Sequence, residues 1–109
     1  MAKVGEVKYD NLVLRGAEHV GTITVASGAS LKRGTILTAG GAKMATGGAP
    51  YGILADDTDA SEAAAVAQVY LDGTYARETL EEIMGYTLSA ADIAALRDID
   101  VYVEHVQAY

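Results

Sequence analysis

Residues 50–75, PYGILADDTDASEAAAVAQVYLDGTY, decide the fold. The two ends of this stretch, residues 51–55 and 64–71, are apolar runs with many β-forming residues, and acidic and small residues fill the middle. This pattern predicts two strands joined by a solvent-exposed loop. The second run is apolar at nearly every position, which is typical of a strand covered on both faces. We expect the rest of the chain to pack against this pair.

The sequence before this stretch has the pattern of β-strands. Residues 20–26, VGTITVA, alternate well between apolar and polar side chains, and residues 35–38 form another short run of β-forming residues. Two glycine pairs, at 40–41 and 47–48, bracket residues 42–45. Paired glycines between short apolar runs predict hairpin turns, so this half of the chain is predicted to be β-structure.

The period of the sequence changes after Tyr75. Thr79 and Glu82 have the spacing of a capping box, and Gly85 is a suitable left-handed stop. Together with apolar side chains at a helical spacing, these residues predict a helix of about two turns over residues 79–85.

A second helix and a last strand follow. Ser89 is a good N-cap, Asp92 stands three residues later, and apolar residues recur at helical spacing up to Leu96. Residues 101–106 return to alternation, which predicts a final strand. The chain is therefore predicted to be a single α+β domain, rich in β-structure, with two short C-terminal helices.

The N-terminal residues 3–15, KVGEVKYDNLVLR, alternate only weakly between apolar and polar side chains. Two interpretations are open. The segment is either an edge strand of the domain or an arm that pairs with a sheet edge on another chain.

Composition limits the function classes. The chain of 109 residues has no cysteine, which excludes disulfides, thiolate zinc sites and cysteine nucleophiles. All seven aromatic residues are tyrosine, so the core is expected to consist of small side chains, and an oligomer or a partner surface is plausible. No stretch is apolar enough for a membrane span and no signal peptide is apparent, so a protein made in the cytoplasm is expected.

The net charge of −7 is unevenly distributed. Residues 1–33 have five basic and three acidic side chains, whereas residues 34–109 have three basic and twelve acidic ones. Because a phosphate backbone requires clustered lysine and arginine, nucleic-acid binding is disfavoured. The N-terminal part is the more favourable place for contact with an acidic partner.

The sequence lacks the motifs of metal sites and of catalysis. An EF-hand loop that began at Asp57 would need glycine where Glu62 stands and glutamate where Gln68 stands. The two histidines, His19 and His105, have no metal-ligand spacing. No nucleophile, base and orienting group can be named together, so we predict no enzyme activity, no metal and no cofactor.

Four ordered segments carry a resemblance to a known family. They are LKRGTIL at 31–37, GILADDTDA at 52–60, VYLDGTY at 69–75 and AALRDIDVY at 94–102. In this order and spacing the chain resembles the lambda-type bacteriophage head decoration proteins, which stabilise capsids. The resemblance implies a mixed α/β domain that assembles as a homotrimer on the outer surface of the expanded head of the virion. There it would sit at three-fold positions and clamp the major capsid protein.

The resemblance also implies roles for parts of this chain. By position, residues 1–15 would be a flexible capsid-binding arm and residues 16–109 the head decoration domain. The arm residues expected to contact the capsid are its apolar ones: Val4, Val7, Tyr9, Leu12, Val13 and Leu14. From their place in the matched segments, Tyr70, Tyr75 and Tyr102 are expected at the trimer contact.

One alternative function concerns Lys43, which stands between the two glycine pairs. This segment faintly resembles the modified-lysine turn of biotinyl and lipoyl carrier domains. In that case Lys43 would bear a cofactor and swing between active sites. An ordinary exposed lysine is favoured, because carrier domains are all-β and the two predicted helices do not belong in one.

Overall fold

A computed structural model describes residues 12–105 of the chain. Within this range the protein is a β-rich α+β domain with two helices, which confirms the predicted class. In chain order the elements are β1 (Val13–Arg15), β2 (Val20–Val25), β3 (Ala29–Leu31), β4 (Ile36–Leu37), β5 (Gly52–Leu54), β6 (Thr58–Ala60), β7 (Ala65–Tyr70), β8 (Gly73–Ala76), α1 (Arg77–Met84), α2 (Ala90–Arg97) and β9 (Val101–Glu104).

The strands form three sheets. The largest has the order β2-β7-β5-β4 and is antiparallel throughout, with β7 bonded to β2 on one side and to β5 on the other. A second sheet has the order β1-β8-β9, in which β9 runs parallel to β8. A parallel pair needs a crossover connection, and here the connection from β8 to β9 contains both helices. The third sheet is the ribbon of β3 and β6.

The four-stranded sheet separates two small cores. Ile53 is paired with Tyr70, and both contact the cluster that contains the buried residues of the two helices and of β8. Leu54 is paired with Val69, and both belong to a second cluster together with Ala60 of β6. Neighbouring residues of a strand point to opposite faces, so each pair contributes to a different core.

The prediction that residues 64–71 form a strand covered on both faces is wrong, because one face of β7 is exposed. Its side chains alternate, with Ala67 and Val69 buried, Gln68 exposed and Val66 73% exposed. The helix-side core reaches β7 only at Tyr70, so the helices leave the rest of that face uncovered. The loop after β5 is also more ordered than predicted, because it contains β6 and the fully buried Ala60.

Helix α1 begins two residues earlier than predicted and without a side-chain cap. Its N-cap is Ala76, the last residue of β8, and the predicted capping box of Thr79 and Glu82 is wrong. The helix is held instead by Arg77, which donates to Glu81 Oε2 at 2.8 Å and to the Leu88 carbonyl at 2.9 Å. Gly85 has φ +82° and ends the helix, as predicted.

Helix α2 has the predicted capping box. The Ser89 hydroxyl accepts from the Asp92 amide at 3.1 Å, and Asp92 Oδ2 accepts from the Ser89 amide at 3.0 Å. The other oxygen of Asp92 accepts from the Gly47 amide at 2.8 Å, which connects the helix to the loop before β5. Burial alone would raise the pKa of this carboxyl, but its hydrogen bonds with Ser89 and Gly47 outweigh burial and the pKa is lowered.

We expect Asp92→Ala to destabilise the protein by about 2 kcal/mol, because Asp92 is only 1% exposed and its removal leaves two amides without acceptors. Urea denaturation at pH 7 measures this. Since the folded pKa lies below the unfolded value, the stabilisation is present above about pH 4 and is lost as the pH falls further. The difference between the two proteins should therefore shrink in acid. Asp98→Ala, at an exposed position, is the control and should change stability by less than about 0.5 kcal/mol. Equal losses in the two variants would contradict the assigned role of Asp92.

Gly41 and Gly47 form a matched pair for measuring how closely the hairpin turn packs on β2. Their φ angles are +81° and +82°, so alanine is strained equally at both. A Cβ at Gly41 would stand 1.9 Å from the Thr24 carbonyl oxygen, whereas at Gly47 it would meet nothing within 4 Å. We expect Gly41→Ala to lower the free energy of unfolding by about 2 kcal/mol more than Gly47→Ala. Thermal denaturation of both variants checks this, and similar melting temperatures would rule out the close contact.

Candidate interaction surface

The uncovered face of β2 and β7 is an uncharged surface. The strands pair Val20 with Tyr70, Thr22 with Gln68 and Thr24 with Val66. Apart from the half-buried Tyr70, these side chains are exposed, and Val20 is 50% exposed. We call this surface the open face, defined as Val20, Thr22, Thr24, Val66, Gln68 and Tyr70. An exposed β-branched surface without charge is typical of contact with another protein.

Strand β2 is an edge strand of its sheet. The Leu71 amide donates to the His19 carbonyl at 2.8 Å, so by alternation Gly21 and Ile23 bond to β7. The amides and carbonyls of Val20 and Thr22 then point away from the sheet. Further along, the Ala26 amide donates to Gly41, so the hairpin turn covers that end of the edge. Among residues 12–105, none pairs with the outer side of the first four residues of β2, which is about 13 Å of strand.

An acidic segment lies along the open face. Asp56, Asp57 and Asp59 line a shallow groove of 480 Å³ with Thr22 and the β7 residues 65–68. We call these three carboxylates the acidic wall. None of them forms an ion pair with a residue in the range 12–105.

Local hydrogen bonds hold the acidic wall in place. Asp57 Oδ1 accepts from the Arg33 amide at 2.7 Å. Asp59 Oδ1 accepts from the hydroxyl and the amide of Ser61, at 2.6 and 3.0 Å. These two bonds lower the pKa of Asp59, the hydroxyl having the larger effect. The hydrogen bonds from Ser61 therefore favour the charged form of Asp59.

The three tyrosines predicted for a trimer contact have different environments. Tyr75 is fully buried and its hydroxyl donates to the Asp72 carbonyl at 2.6 Å, so its side chain cannot reach a second copy and that assignment is wrong. Tyr70 is half-buried, and Arg33 lies over its ring at 5.7 Å and donates to its hydroxyl. Tyr102 is 45% exposed on the edge strand β9. The structure thus leaves Tyr70 and Tyr102 available and does not bring them together on one strand pair.

The predicted arm also needs a correction at its end. Leu12 is 2% exposed in the helix-side core, and Val13 packs against the same core. Residues 13–15 form β1, paired with β8, so this part is an edge strand of the domain and the arm boundary at residue 15 is wrong. Leu14 is half-buried in β1. Val4, Val7 and Tyr9 lie outside the described residues.

Two connections run side by side between the two larger sheets. One joins β1 to β2 and includes His19, and the other joins β7 to β8 and includes Asp72. Asp72 Oδ1 accepts from the amides of Glu18 and His19, at 3.0 and 3.1 Å, and its other oxygen is bonded to the His19 ring. This bond raises the pKa of His19 and lowers that of Asp72. The sequence did not predict the pairing of His19 with Asp72, because the two residues are far apart in the chain.

Lys43 is exposed and forms an isolated bridge with Leu37, on the opposite side of the turn. The Gly41 amide donates to the Thr38 carbonyl, so the tip of this turn is at residues 39–40 rather than at Lys43. Residues 12–105 contain no cluster of three potential metal ligands. In the same range no helix is long and apolar enough to cross a membrane.

We expect the His19 imidazole to titrate above pH 6.5 in the native protein, because Asp72 stabilises its charged form. Asp72→Asn should return the pKa to its ordinary value, as measured by NMR titration of the ring protons. Since the folded pKa is raised, the stabilisation is present below about pH 6.5 and is lost as the pH rises through the folded pKa. An unchanged His19 pKa in the variant would show that another group causes the shift.

The open face, the outer edge of β2 and the acidic wall lie next to one another at one end of the four-stranded sheet. A scan against models of known protein families finds no match, and a search of curated proteins finds no related sequence. The similarity to decoration proteins therefore rests on the four ordered sequence segments themselves.

Proposed function

We propose that this protein is a phage head decoration protein. It would bind the outer surface of the expanded head as a homotrimer at three-fold positions and stabilise the lattice of the major capsid protein. The observation that carries the proposal is the order and spacing of the four sequence segments. These segments supply β4, β5, β6, most of β8 and half of α2 and of β9, and with them nine of the sixteen buried residues of the two cores.

Surface chemistry supports the same proposal. A decoration protein needs no catalytic group, but it needs adhesive surface that is repeated in each copy. The open face and the free edge of β2 are such a surface, and a trimer presents each of them three times. Contacts that are weak singly become strong when three are made at once, because the second and third are intramolecular.

The oligomeric state and head binding test this proposal directly. Light scattering should give a mass three times that of the 11.3 kDa chain. Co-sedimentation with expanded heads that lack their own decoration protein should give binding that saturates at a fixed number of copies per head. A monomer that stays in the supernatant with intact heads would refute the proposed function.

Deletion of residues 1–10 tests the arm. We expect the shortened protein to keep its fold and its trimer, because Leu12 and β1 remain, and to lose head binding by at least tenfold, since three arm contacts are removed at once. Co-sedimentation measures binding, and light scattering measures the trimer.

Deletion of residues 1–15 is the comparison. It also removes Leu12 and β1, and the lost core contact alone should cost about 2–5 kcal/mol of stability. If the protein without residues 1–10 binds heads as well as the full chain, the arm is not the capsid contact.

The carrier alternative stays a hypothesis that nothing in the turn geometry favours. Lys43 lies beside Leu37 in the bridge and not at the tip of its turn, where a modified lysine would be best presented to another enzyme. The intact mass of the protein from a cell that makes biotin and lipoate would distinguish the two functions, because an adduct on Lys43 would support the carrier.

A further inference from the structure

We propose that the open edge of β2 receives an extended segment of the partner protein, and that this segment carries lysine or arginine where it leaves the edge and crosses the groove. This inference rests on the proposed function in one respect: the partner is then the major capsid protein. The mode of binding, addition of a strand to the edge of the sheet, follows from the geometry of β2 itself.

The backbone of β2 has outward hydrogen-bonding groups in the positions that a further strand would use. The outward amides and carbonyls of Val20 and Thr22 offer four hydrogen-bonding groups in the regular spacing of an antiparallel ladder. Strand β2, VGTITV, has six paired residues without a bulge, and it has no proline and no charged side chain. Exposed edges are normally protected by such features, and their absence favours an edge that another chain covers.

Side chains next to the edge determine what kind of segment fits. Val20, Thr22 and Thr24 on the open face offer neighbours to β-branched or small side chains of an added strand. Beyond them, the groove is bordered by the acidic wall, whose three carboxylates have no ion-pair partner in the range 12–105. The wall lies beside β7 on the side away from β2, so a partner segment with positive charge where it crosses the open face complements it.

A second copy of this protein is a poorer occupant of the edge. Pairing β2 with the β2 of another copy would leave both acidic walls without a partner of opposite charge, because β2 has no basic side chain. Two other outer edges are also poorly suited. β9 presents Glu104, which is bound to Arg15 of β1, and β4 has only two residues. A basic segment of a different protein is therefore the occupant that the charges favour.

Two experiments test the inference, one of which does not depend on the proposed function. In the first, blocked six-residue peptides that alternate threonine and valine are titrated into isotope-labelled full-length protein and followed by NMR. One peptide ends in lysine at both sides and the other in glutamate. We expect the lysine peptide to shift the signals of Val20, Thr22 and Gln68 and to bind at least about tenfold more tightly than the glutamate peptide.

Variants make this test specific. Thr22→Pro removes an outward amide that β7 does not use, and it should abolish peptide binding while the protein stays folded. Thr22→Ala keeps the amide and removes only the side chain, so it should bind the peptide more tightly than Thr22→Pro and separates the contribution of the backbone from that of the side chain. Asp56→Asn should weaken binding of the lysine peptide and should not weaken binding of the glutamate peptide, because the carboxylate attracts lysine and repels glutamate. If Thr22→Pro fails to fold, Val20→Lys, which charges the edge without touching the backbone, replaces it.

The second experiment measures amide hydrogen exchange in the protein bound to expanded heads. The Val20 and Thr22 amides should exchange at least about tenfold more slowly when bound, whereas those of Gly21 and Ile23, already bonded to β7, should change little. Peptide binding without head binding would keep the edge inference and overturn the proposed function. Head binding with no peptide binding and no added protection at Val20 and Thr22 would overturn the inference and keep the function.

Two further outcomes would assign the edge to a different occupant. If removal of residues 1–11 exposes the Val20 and Thr22 amides to faster exchange in the free protein, the N-terminal segment of this chain covers the edge. If Thr22→Pro lowers the solution mass of the oligomer, the edge is a contact between copies. Either result contradicts the proposal of a partner strand.

Discussion

Strand β7 pairs with a strand on each side and contributes side chains to both cores, and this double constraint determines where the other elements lie. Its residues bond alternately to β2 and to β5, so it cannot shift along either neighbour without breaking both ladders. Val69 is buried against the β3-β6 ribbon, and Tyr70 packs against the helices. A slip by one residue would exchange these two faces. The small side chains of this protein thus form two small cores, and β7 separates them.

The connection that follows β7 holds the two larger sheets in position relative to each other. The chain leaves β7 at Leu71 and enters β8 at Gly73, beside the connection that leads from β1 into β2. Asp72 lies between the two connections and accepts from both the backbone and the side chain of the neighbouring one. Hydrogen bonds to one carboxylate therefore hold this junction together, where a larger core would supply packed side chains. Its three bonds go to residues that are exposed, so the junction depends on charge as well as on packing.

Much of this arrangement was predictable from sequence, because local signals and the final structure agree. Ser89 and Asp92 predict their own capping box, and Gly85 predicts its left-handed stop. The errors have one physical origin: they concern long-range contacts. Thr79 and Glu82 have a valid capping spacing, but β8 runs directly into α1 and Arg77 holds the start. Tyr75 resembles an exposed contact residue in sequence, yet its strand lies in the middle of a sheet. Val66 looked buried because its neighbours are apolar, and only the extent of the helical layer determines that it is not.

The open face follows from the size of the domain as much as from any one residue. Two helices of eight residues each are about 12 Å long, which is too short to cover a four-stranded sheet whose central strand has six residues. The helices thus leave one end of the sheet without a cover, and the sequence places uncharged β-branched side chains there in place of lysine or glutamate. A solvated monomer would gain solubility from charge at these positions. Uncharged side chains at these positions would suit contact with another protein better than contact with solvent, which is why the proposed binding is placed at this end of the sheet.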